Sequence, residues 1–244
     1  MYKDMALVYD ELMDDVDYEG WFNYIEEIFN RFGKKPNSIL EMACGTGNLS
    51  YYLAREGYDL TCFDISDDML SIAYNKLAAF KNVTLLKQDM TNFNIYKKFD
   101  CVLSVCDSIN YIIDRKDLLN TFTRVKEHLK EDGIFIFDIN SYYKLKHVIG
   151  NNIFVEDRGD IFYTWTNNFC EEERIGEFYL TFFVKEKNGY YKRFDEEHIQ
   201  KAYTVEEIIA FLKKAGFSKI DAFASFTFIP PKDTSQRICF IAFP

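Results

Sequence analysis

The chain has 244 residues and a formal net charge of −10 at pH 7; 48% of its residues are hydrophobic and 18% are aromatic. This length supplies a core for one large domain, with or without an insertion. No apolar run is long enough to cross a bilayer, and the N-terminus is too acidic for a secretory signal. Lysine and arginine are scattered, without the basic stripe that nucleic-acid binding normally needs. The composition therefore predicts a cytoplasmic globular protein with neither a membrane nor a nucleic-acid partner.

The cysteines and histidines point away from disulfides and metals. Six cysteines occur without a C-x-x-C pair, and Cys44, Cys62, Cys101 and Cys106 lie on or beside predicted buried strands. Free core thiols in a reducing compartment are the simplest account. The three histidines lack metal-ligand spacing, so we predict no metal site.

The N-terminal segment combines an acidic stretch with a helix. Residues 10–19 hold six acids and no base, which is typical of a solvated face or loop. From Trp21 to Phe32, aromatic and aliphatic residues recur at helical spacing, which predicts an amphipathic helix. We assign residues 1–35 to a helical N-terminal segment.

The run SILEMACGTGN has the form of a nucleotide-recognition unit. Ser38 to Met42 is a short apolar strand, and Gly45 and Gly47 then allow a tight turn and close ligand approach. A helix follows from Asn48 to Arg55, so the turn lies at a helix N-terminus with free N–H groups. The next strand, Asp59 to Asp64, ends in an acid that is suited to binding a ribose diol. The same unit without any ligand is the structural alternative.

Two details separate this turn from a dinucleotide site. The dinucleotide pattern G-x-G-x-x-G requires a third glycine, and Ser50 stands there. Glu41 just before the turn would repel phosphate and attract a cation. S-adenosylmethionine has no phosphate but carries an ammonium and a sulfonium, so it fits this turn better than NAD.

Glu41, Cys44, Gly45, Thr46 and Gly47 resemble the first motif, E-x-x-C-G-x-G, of the class I S-adenosylmethionine-dependent methyltransferases. The resemblance implies an α/β fold with a Rossmann-like, doubly wound, mostly parallel seven-stranded sheet. It also implies S-adenosylmethionine as cofactor and methyl transfer to an N or O of a small-molecule acceptor.

The run DISDDML resembles the second motif of that family. By this resemblance Asp64 would bind both ribose hydroxyls, with Ile65 and Met69 packed near the adenine. From the residues alone, Ser66 caps a helix and Met69 belongs to the core. The two interpretations are compatible.

Two further strand ends resemble later motifs of the family. After Val83 to Lys87, an acid at position 89 would bond the adenine amino group, and the next residue's backbone would contact the ring. The strand that begins at Phe99 ends in a polar, aromatic loop, where backbone atoms would receive the methionine amino group. The predicted cofactor-binding residues are Tyr9, Trp21, Glu41, Ala43, Cys44, Gly45, Thr46, Gly47, Asp64, Ile65, Met69, Gln88, Asp89, Met90 and Cys106.

The remaining strands and helices alternate as in a parallel sheet. We predict helices from Asp67 to about Phe80 and from Arg115 to Lys130, the second capped by Asp114 and ended by Gly133. A further strand runs from Ile134 to Ile139. Ligands then bind outside the carboxyl ends of the strands.

After Asn140 the pattern changes. Residues 152–201 alternate apolar and polar, with a hairpin signal at Asn188-Gly189, which predicts three or four antiparallel strands. A helix capped by Thr204 follows, and then strands at 217–226 and 237–243. We assign residues 36–140 and 202–244 to the Rossmann-like domain and 141–201 to an inserted antiparallel sheet.

The insertion and the N-terminal segment are expected to cover the site, as in related small-molecule methyltransferases. Aromatic residues suit a lid because their faces attract a cationic methyl donor. Tyr163, Trp165 and Tyr179 could line the acceptor pocket, and an ordinary sheet core is the alternative. At the N-terminus, Tyr2, Tyr9 and Trp21 could line the pocket in the same way. Tyr9 resembles a tyrosine that closes over the donor in relatives.

A general base would remove a proton from an amine or hydroxyl acceptor. Asp107 and Tyr111, directly after the fourth strand, are the predicted catalytic residues, although many methyltransferases need no dedicated base. His198 is a further candidate. Its acidic neighbours favour the charged form and predict an exposed histidine at a strand end.

Three other functions stay open at this point. A non-catalytic adenosylmethionine- or nucleoside-binding module would share the same turn. An NAD-dependent oxidoreductase would need G-x-G-x-x-G and a Tyr/Lys or His constellation, and neither is evident. An RNA methyltransferase would need a local basic patch hidden within the acidic total. The protein is expected to be a monomer or homodimer.

Overall fold

The computed structural model describes residues 3–244, and Tyr2 lies outside that range. Within it the helices are α1 (Lys3–Leu12), α2 (Tyr18–Arg31), α3 (Asn48–Glu56), α4 (Asp67–Leu77), α5 (Arg115–His128) and α6 (Val205–Lys214). The strands are β1 (Ser38–Met42), β2 (Asp59–Asp64), β3 (Val83–Lys87), β4 (Phe99–Ser104), β5 (Leu129–Asn140), β6 (Ile153–Asp157), β7 (Ile161–Cys170), β8 (Ile175–Lys185), β9 (Tyr191–Lys201), β10 (Lys219–Ala224) and β11 (Arg237–Phe243). A 3-10 turn spans Ser108–Tyr111, and a π-helical turn spans Lys144–Ile149.

The larger sheet has seven strands in the order β10-β11-β5-β4-β1-β2-β3. Strands β1 to β5 pair in parallel, and β11 is antiparallel to both of its neighbours. Buried apolar clusters cover both faces, which explains the continuous apolar runs of β1, β4 and β5. The prediction of an α/β, mostly parallel seven-stranded sheet is confirmed.

The second sheet has four antiparallel strands in the order β6-β7-β8-β9. It is inserted in the chain between β5 and α6, as the change in sequence pattern predicts. Gly189 has φ +84 in the turn between β8 and β9, which is the conformation that favours glycine in a hairpin.

Several element ends differ from the sequence prediction. Helix α5 ends at His128 rather than Lys130, because Leu129 already pairs with Phe99 as the first residue of β5. Gly133 therefore lies within a strand rather than at a helix end. An added Cβ there would stand 2.9 Å from the Lys130 carbonyl oxygen, so close backbone approach explains this glycine. Helix α4 likewise ends at Leu77, before Phe80.

Helix α6 begins with the predicted capping box. The Thr204 hydroxyl accepts a hydrogen bond from the Glu207 N–H, and the Glu207 carboxylate accepts one from the Thr204 N–H. We expect Thr204→Ala to lower the free energy of unfolding by about 1 kcal/mol, because the first turn loses its side-chain acceptor. Urea unfolding measures this loss. Thr204→Ser keeps the oxygen and is the matched control; an equal loss in both variants would contradict the capping account.

Candidate donor and acceptor site

The site lies where β1 and β4 separate at the centre of the larger sheet. The chain proceeds from β1 to β2 on one side, and β4 and β5 lie on the other, which makes this the topological switch point. Open α/β sheets bind ligands outside the carboxyl ends of the strands at this point. The glycine turn after β1 and the loop after β4 meet there.

The glycine turn after β1 requires left-handed backbone. Ala43, Gly45 and Gly47 have φ values of 53°, 55° and 77°. An added Cβ on Gly47 would stand 3.1 Å from the Leu77 side chain, so this glycine allows α3 to pack on α4. An added Cβ on Gly45 would meet nothing within 4 Å, so there is open space above that glycine. A ligand can therefore approach the main chain at Gly45.

Asp64 ties the end of β2 to this turn. Its Oδ2 accepts a hydrogen bond from the Gly45 N–H at 2.9 Å, and its Oδ1 accepts one from the Ser66 N–H at 2.9 Å. Burial raises the pKa of Asp64. The next residue, Ile65, is 60% exposed, whereas Met69 is buried. The Asp64 carboxylate and the exposed Ile65 side chain are thus adjacent at the carboxyl end of β2.

Glu41 lies beneath the turn rather than in front of it. It is buried, accepts a hydrogen bond from the Ser50 hydroxyl at 2.5 Å and contacts the Cys62 thiol at 3.6 Å. Burial raises its pKa to about 7. The sequence predicts that Glu41 attracts a cation, and from this buried position it would do so across the glycine turn rather than by direct contact.

The segment after β3 reaches the same edge of the sheet. The Gln88 N–H donates to the Asp64 carbonyl oxygen at 3.1 Å, which holds this segment against the end of β2. The exposed Asp89 accepts hydrogen bonds from the N–H and hydroxyl of Thr91 at 2.8 and 2.9 Å. Met90 packs against the core. The second and third motifs are therefore brought together.

The loop after β4 is strained. Cys106 and Asp107 are consecutive non-glycine residues with φ values of 60° and 56°. Such conformations cost on the order of 1–3 kcal/mol each and persist where the surroundings enforce them. Here the Asp107 N–H donates to Asp138 Oδ2 at 3.2 Å. The loop is thereby tied to β5 beside the switch point.

Arg237 is the centre of an ion-pair network that sequence reasoning missed. Its Nη2 donates to Asp107 Oδ1 at 2.7 Å, and its Nη1 donates to the carboxylate of Asp138. Gln200 Nε2 donates to the other Asp107 oxygen at 2.8 Å. The acid within the apolar run IFIFDI, Asp138, was the available sequence signal, because a charge in a buried strand requires a partner.

The electrostatics of this network follow from its burial. Asp138 is fully buried, and desolvation raises its pKa to about 6, with Arg237 acting in the opposite direction. Desolvation also lowers the pKa of Lys144, whose Nζ donates to Asn140 Oδ1 at 2.9 Å. The charged groups under the β4 loop are therefore compensated by one another.

The inserted sheet is bonded directly to this loop region. Asn110, fully buried, donates to the carbonyl oxygens of Asn140 and Lys201 at 3.0 and 2.9 Å. The Tyr111 hydroxyl lies 3.4 Å from His198 Nδ1. These contacts place the β9 face that carries Gln200 and His198 toward the site.

Two sequence predictions about the insertion are wrong. His198 is buried rather than exposed, and burial lowers its pKa, because tertiary packing outweighs its acidic neighbours along the strand. Tyr179 is 44% exposed and pairs with Thr166 and Glu197, so it lies on the outer face of the sheet. Trp165 pairs with Leu180 and therefore lies on the opposite face of the sheet, where it packs with the buried cluster of the insertion.

Helix α1 lies against the glycine turn. Asp10 accepts hydrogen bonds from Thr46 Oγ1 at 2.6 Å and from Asn48 Nδ2 at 3.0 Å, and it pairs with Lys76 Nζ at 2.8 Å. Arg158, between β6 and β7, donates to the Glu11 carbonyl oxygen at 2.8 Å. The N-terminal segment is thereby joined to both the glycine turn and the inserted sheet.

The two N-terminal aromatic candidates have different surroundings. Burial raises the pKa of Tyr9, and Tyr18, Cys106 and Tyr111 raise it further, so its hydroxyl lies among these groups at the site. Trp21 is 3% exposed and packs 4.6 Å from the Phe226 ring centroid. Tyr9 is thus placed at the site, whereas Trp21 belongs to the core beneath it.

The attachment of α1 is expected to weaken in Lys76→Met. Loss of the ammonium leaves Asp10 with the neutral donors Thr46 and Asn48, and a partly exposed ion pair contributes at most about 1 kcal/mol. Hydrogen exchange of the 3–12 segment should then be roughly two- to fivefold faster, while exchange in α6 stays unchanged. Lys97→Met, which breaks the surface pair with Asp59, is the control. Equal exchange in all three proteins would refute the attachment.

Within residues 3–244, no group of His, Cys, Asp and Glu has the arrangement of a metal site. In the same range, none of the helices combines the length and hydropathy needed to cross a membrane.

The α/β sheet has a glycine turn at its switch point, with Glu41 before the turn and Asp64 bonded to it. This arrangement defines a Rossmann-like nucleoside-binding protein. A family model described as a methyltransferase domain matches residues 39–133. The crystal structure of an S-adenosylmethionine-dependent methyltransferase from Clostridium acetobutylicum is 40% identical, with a TM-score of 0.90 over 99% of this chain and 98% of that one. A Geobacillus protein, provisionally named a methyltransferase, is 36% identical over 99% of this chain and 98% of its own.

This chain therefore belongs to the S-adenosylmethionine-dependent methyltransferases, and S-adenosylmethionine is its cofactor. A more distant relative is the dTDP-3-amino-3,4,6-trideoxy-alpha-D-glucopyranose N,N-dimethyltransferase of Streptomyces venezuelae. It is 30% identical over 57% of this chain and 58% of its own.

Proposed function

We propose that this enzyme transfers the methyl group of S-adenosylmethionine to a nitrogen or oxygen of a small-molecule acceptor held between the glycine turn and the inserted sheet. The observation that carries the proposal is the convergence of the β4 loop, α1 and β9. Tyr9 of α1 and Gln200 of β9 approach the Cys106-Asp107 loop, and Tyr111, which follows in the same loop, meets His198 of β9. The similarity to an amino-sugar N,N-dimethyltransferase supports a small acceptor.

The residues of the turn fit the donor. Asp64 would bind the ribose hydroxyls, since its carboxylate already lies within hydrogen-bonding distance of the Gly45 N–H. The exposed Ile65 would pack on the adenine, with Asp89 near the adenine amino group. The strained backbone at Cys106 would receive the methionine amino group. When bound, S-adenosylmethionine supplies an electrophilic methyl group on a cationic sulfonium.

The other residues would align the acceptor and exclude water, which are the main requirements of an in-line transfer. Asp107 accepts from Arg237 and from Gln200, so both of its oxygens are engaged. Neither oxygen is therefore left without a side-chain donor. We therefore assign Asp107 to holding the loop and the lid together rather than to accepting a proton.

Two measurements test the proposed function. Isothermal calorimetry should detect binding of S-adenosylmethionine and S-adenosylhomocysteine but not of NAD. Incubation with methyl-labelled donor should then label at least one of glucosamine, glucose or glycine and leave a transfer RNA transcript unlabelled. Donor binding without labelling of any acceptor would favour a non-catalytic binding module, and labelling of the RNA alone would favour an RNA methyltransferase.

A further inference from the structure

Strand β9 buries polar side chains where an amphipathic strand normally buries apolar ones. Glu196, His198 and Gln200, at alternate positions, are at most 8% exposed, whereas Ile199 between them is 42% exposed. The buried face is directed toward the β4 loop, because Gln200 Nε2 donates to Asp107 there. A buried polar face costs stability unless it is bonded, so its presence at the site indicates a function.

His198 lies on this face against Tyr111. The hydroxyl of Tyr111 is 3.4 Å from His198 Nδ1, and the two rings meet edge to face with centroids 5.9 Å apart. Phe178 stands directly opposite His198 on β8.

The titratable and charged groups around this pair come from four elements. Glu196 lies on the same face of β9, and Tyr111 comes from the 3-10 turn. Asp107 of the β4 loop accepts a hydrogen bond from Gln200, and Tyr111 is one of the groups that raise the pKa of Tyr9 of α1. Burial lowers the pKa of His198, which keeps the imidazole neutral and able to accept a proton at neutral pH.

We infer that His198 takes up the proton that the acceptor loses during methyl transfer, and that the Tyr111 hydroxyl relays it. This inference rests on the proposed function. The acceptor lone pair forms the new bond to the methyl carbon, and the carbon–sulfur bond breaks with its electron pair remaining on sulfur. The acceptor N–H or O–H proton passes to the Tyr111 oxygen, while the Tyr111 proton passes to His198 Nδ1. The imidazolium returns its proton to solvent after the product leaves.

The other histidines do not compete for this role. His128 Nε2 accepts from the Ile95 N–H, and its Nδ1 contacts the Arg124 carbonyl oxygen at 2.7 Å. His147 is exposed on the π-helical turn. Neither lies on the face of β9 that meets the β4 loop.

The test compares His198→Gln with wild type, using whichever of glucosamine, glucose or glycine the wild type methylates fastest. We expect kcat to fall by about 10²- to 10⁴-fold, the usual contribution of a positioned base, with the Kd for S-adenosylmethionine within about twofold of wild type. The wild-type kcat should decline as pH falls below the ordinary histidine range, because protonated His198 accepts nothing. This decline should be absent in the variant. Tyr111→Phe should lower kcat by a comparable factor.

The matched control is His147→Gln, which should change kcat by less than about twofold. A His198→Gln enzyme that binds donor normally and keeps kcat within about threefold, or keeps the acidic decline, would overturn the inference alone. A wild type that binds donor but methylates none of the three acceptors would overturn the proposed function, and the inference with it.

Discussion

Arg237→Met is expected to lower the free energy of unfolding by about 3–5 kcal/mol, the usual cost of removing one partner from a buried ion pair. The substitution leaves the fully buried Asp138 without its guanidinium, and Asp107 keeps the hydrogen bond from Gln200 but loses its ion pair. Urea unfolding at pH 7.5 measures the loss. The same change should also loosen the β4 loop, since Arg237 joins it to β5.

The loss should depend on pH with a defined sign. Burial raises the folded-state pKa of Asp138 to about 6, above the value of about 3.9 for an unfolded aspartate. Ionisation therefore costs the folded state increasingly as pH rises from about 4 through 6, and it costs more without Arg237. The deficit of Arg237→Met should be smallest near pH 4 and largest above pH 6.

A surface arginine provides the control. Arg193→Met breaks an exposed pair with Asp195 on β9, so its effect on the free energy of unfolding should be far smaller than that of Arg237→Met at either pH. If Arg237→Met costs no more than Arg193→Met, or if its cost does not change between pH 4 and pH 7.5, the network does not stabilise the fold as described.

Asp64→Ala is expected to weaken the binding of S-adenosylmethionine by about 1–3 kcal/mol, which is roughly 5- to 150-fold in Kd. The variant loses the acceptor proposed for the ribose hydroxyls and the bond that holds Gly45. Calorimetric titration with S-adenosylmethionine and S-adenosylhomocysteine measures the change. Both ligands contain the ribose, so both should lose a similar factor.

Asp67→Ala is the matched control for Asp64→Ala, because it removes an exposed acid three residues away whose partner is Lys87. Its Kd should stay within about twofold of wild type, as expected for a surface pair. A folded Asp64→Ala protein with unchanged affinity would remove Asp64 from the donor site.

Most of the fold could be predicted because its signals are local. Apolar runs and glycine turns mark the parallel strands, and period-two alternation marks the inserted sheet. Helix ends depend in part on contacts with distant segments. The predicted end of α5 lies two residues beyond the observed one, because pairing of Leu129 with Phe99 competes with the helix and is not visible in the local sequence.

Local sequence pattern described the proposed acceptor side of the site poorly. His198 has acids beside it along the chain, yet its spatial neighbours are Tyr111 and Phe178, so its pKa falls instead of rising. Tyr179 could lie on either face of the inserted sheet, and only the packing of that sheet shows that it lies on the exposed one. Arg237 and Asp138 are 99 residues apart and meet because β11 is antiparallel to β5.

By itself the sequence determined the fold class, the glycine turn and the choice of an adenosyl donor. A backbone turn and a strand-end acid are read from adjacent residues, and Glu41 and Ser50 exclude the dinucleotide pattern locally. The tertiary structure alone decided which polar groups face one another across the two sheets. Ion pairing and burial depend on distances between segments far apart in the chain, and those distances set the charge states of Asp138 and His198.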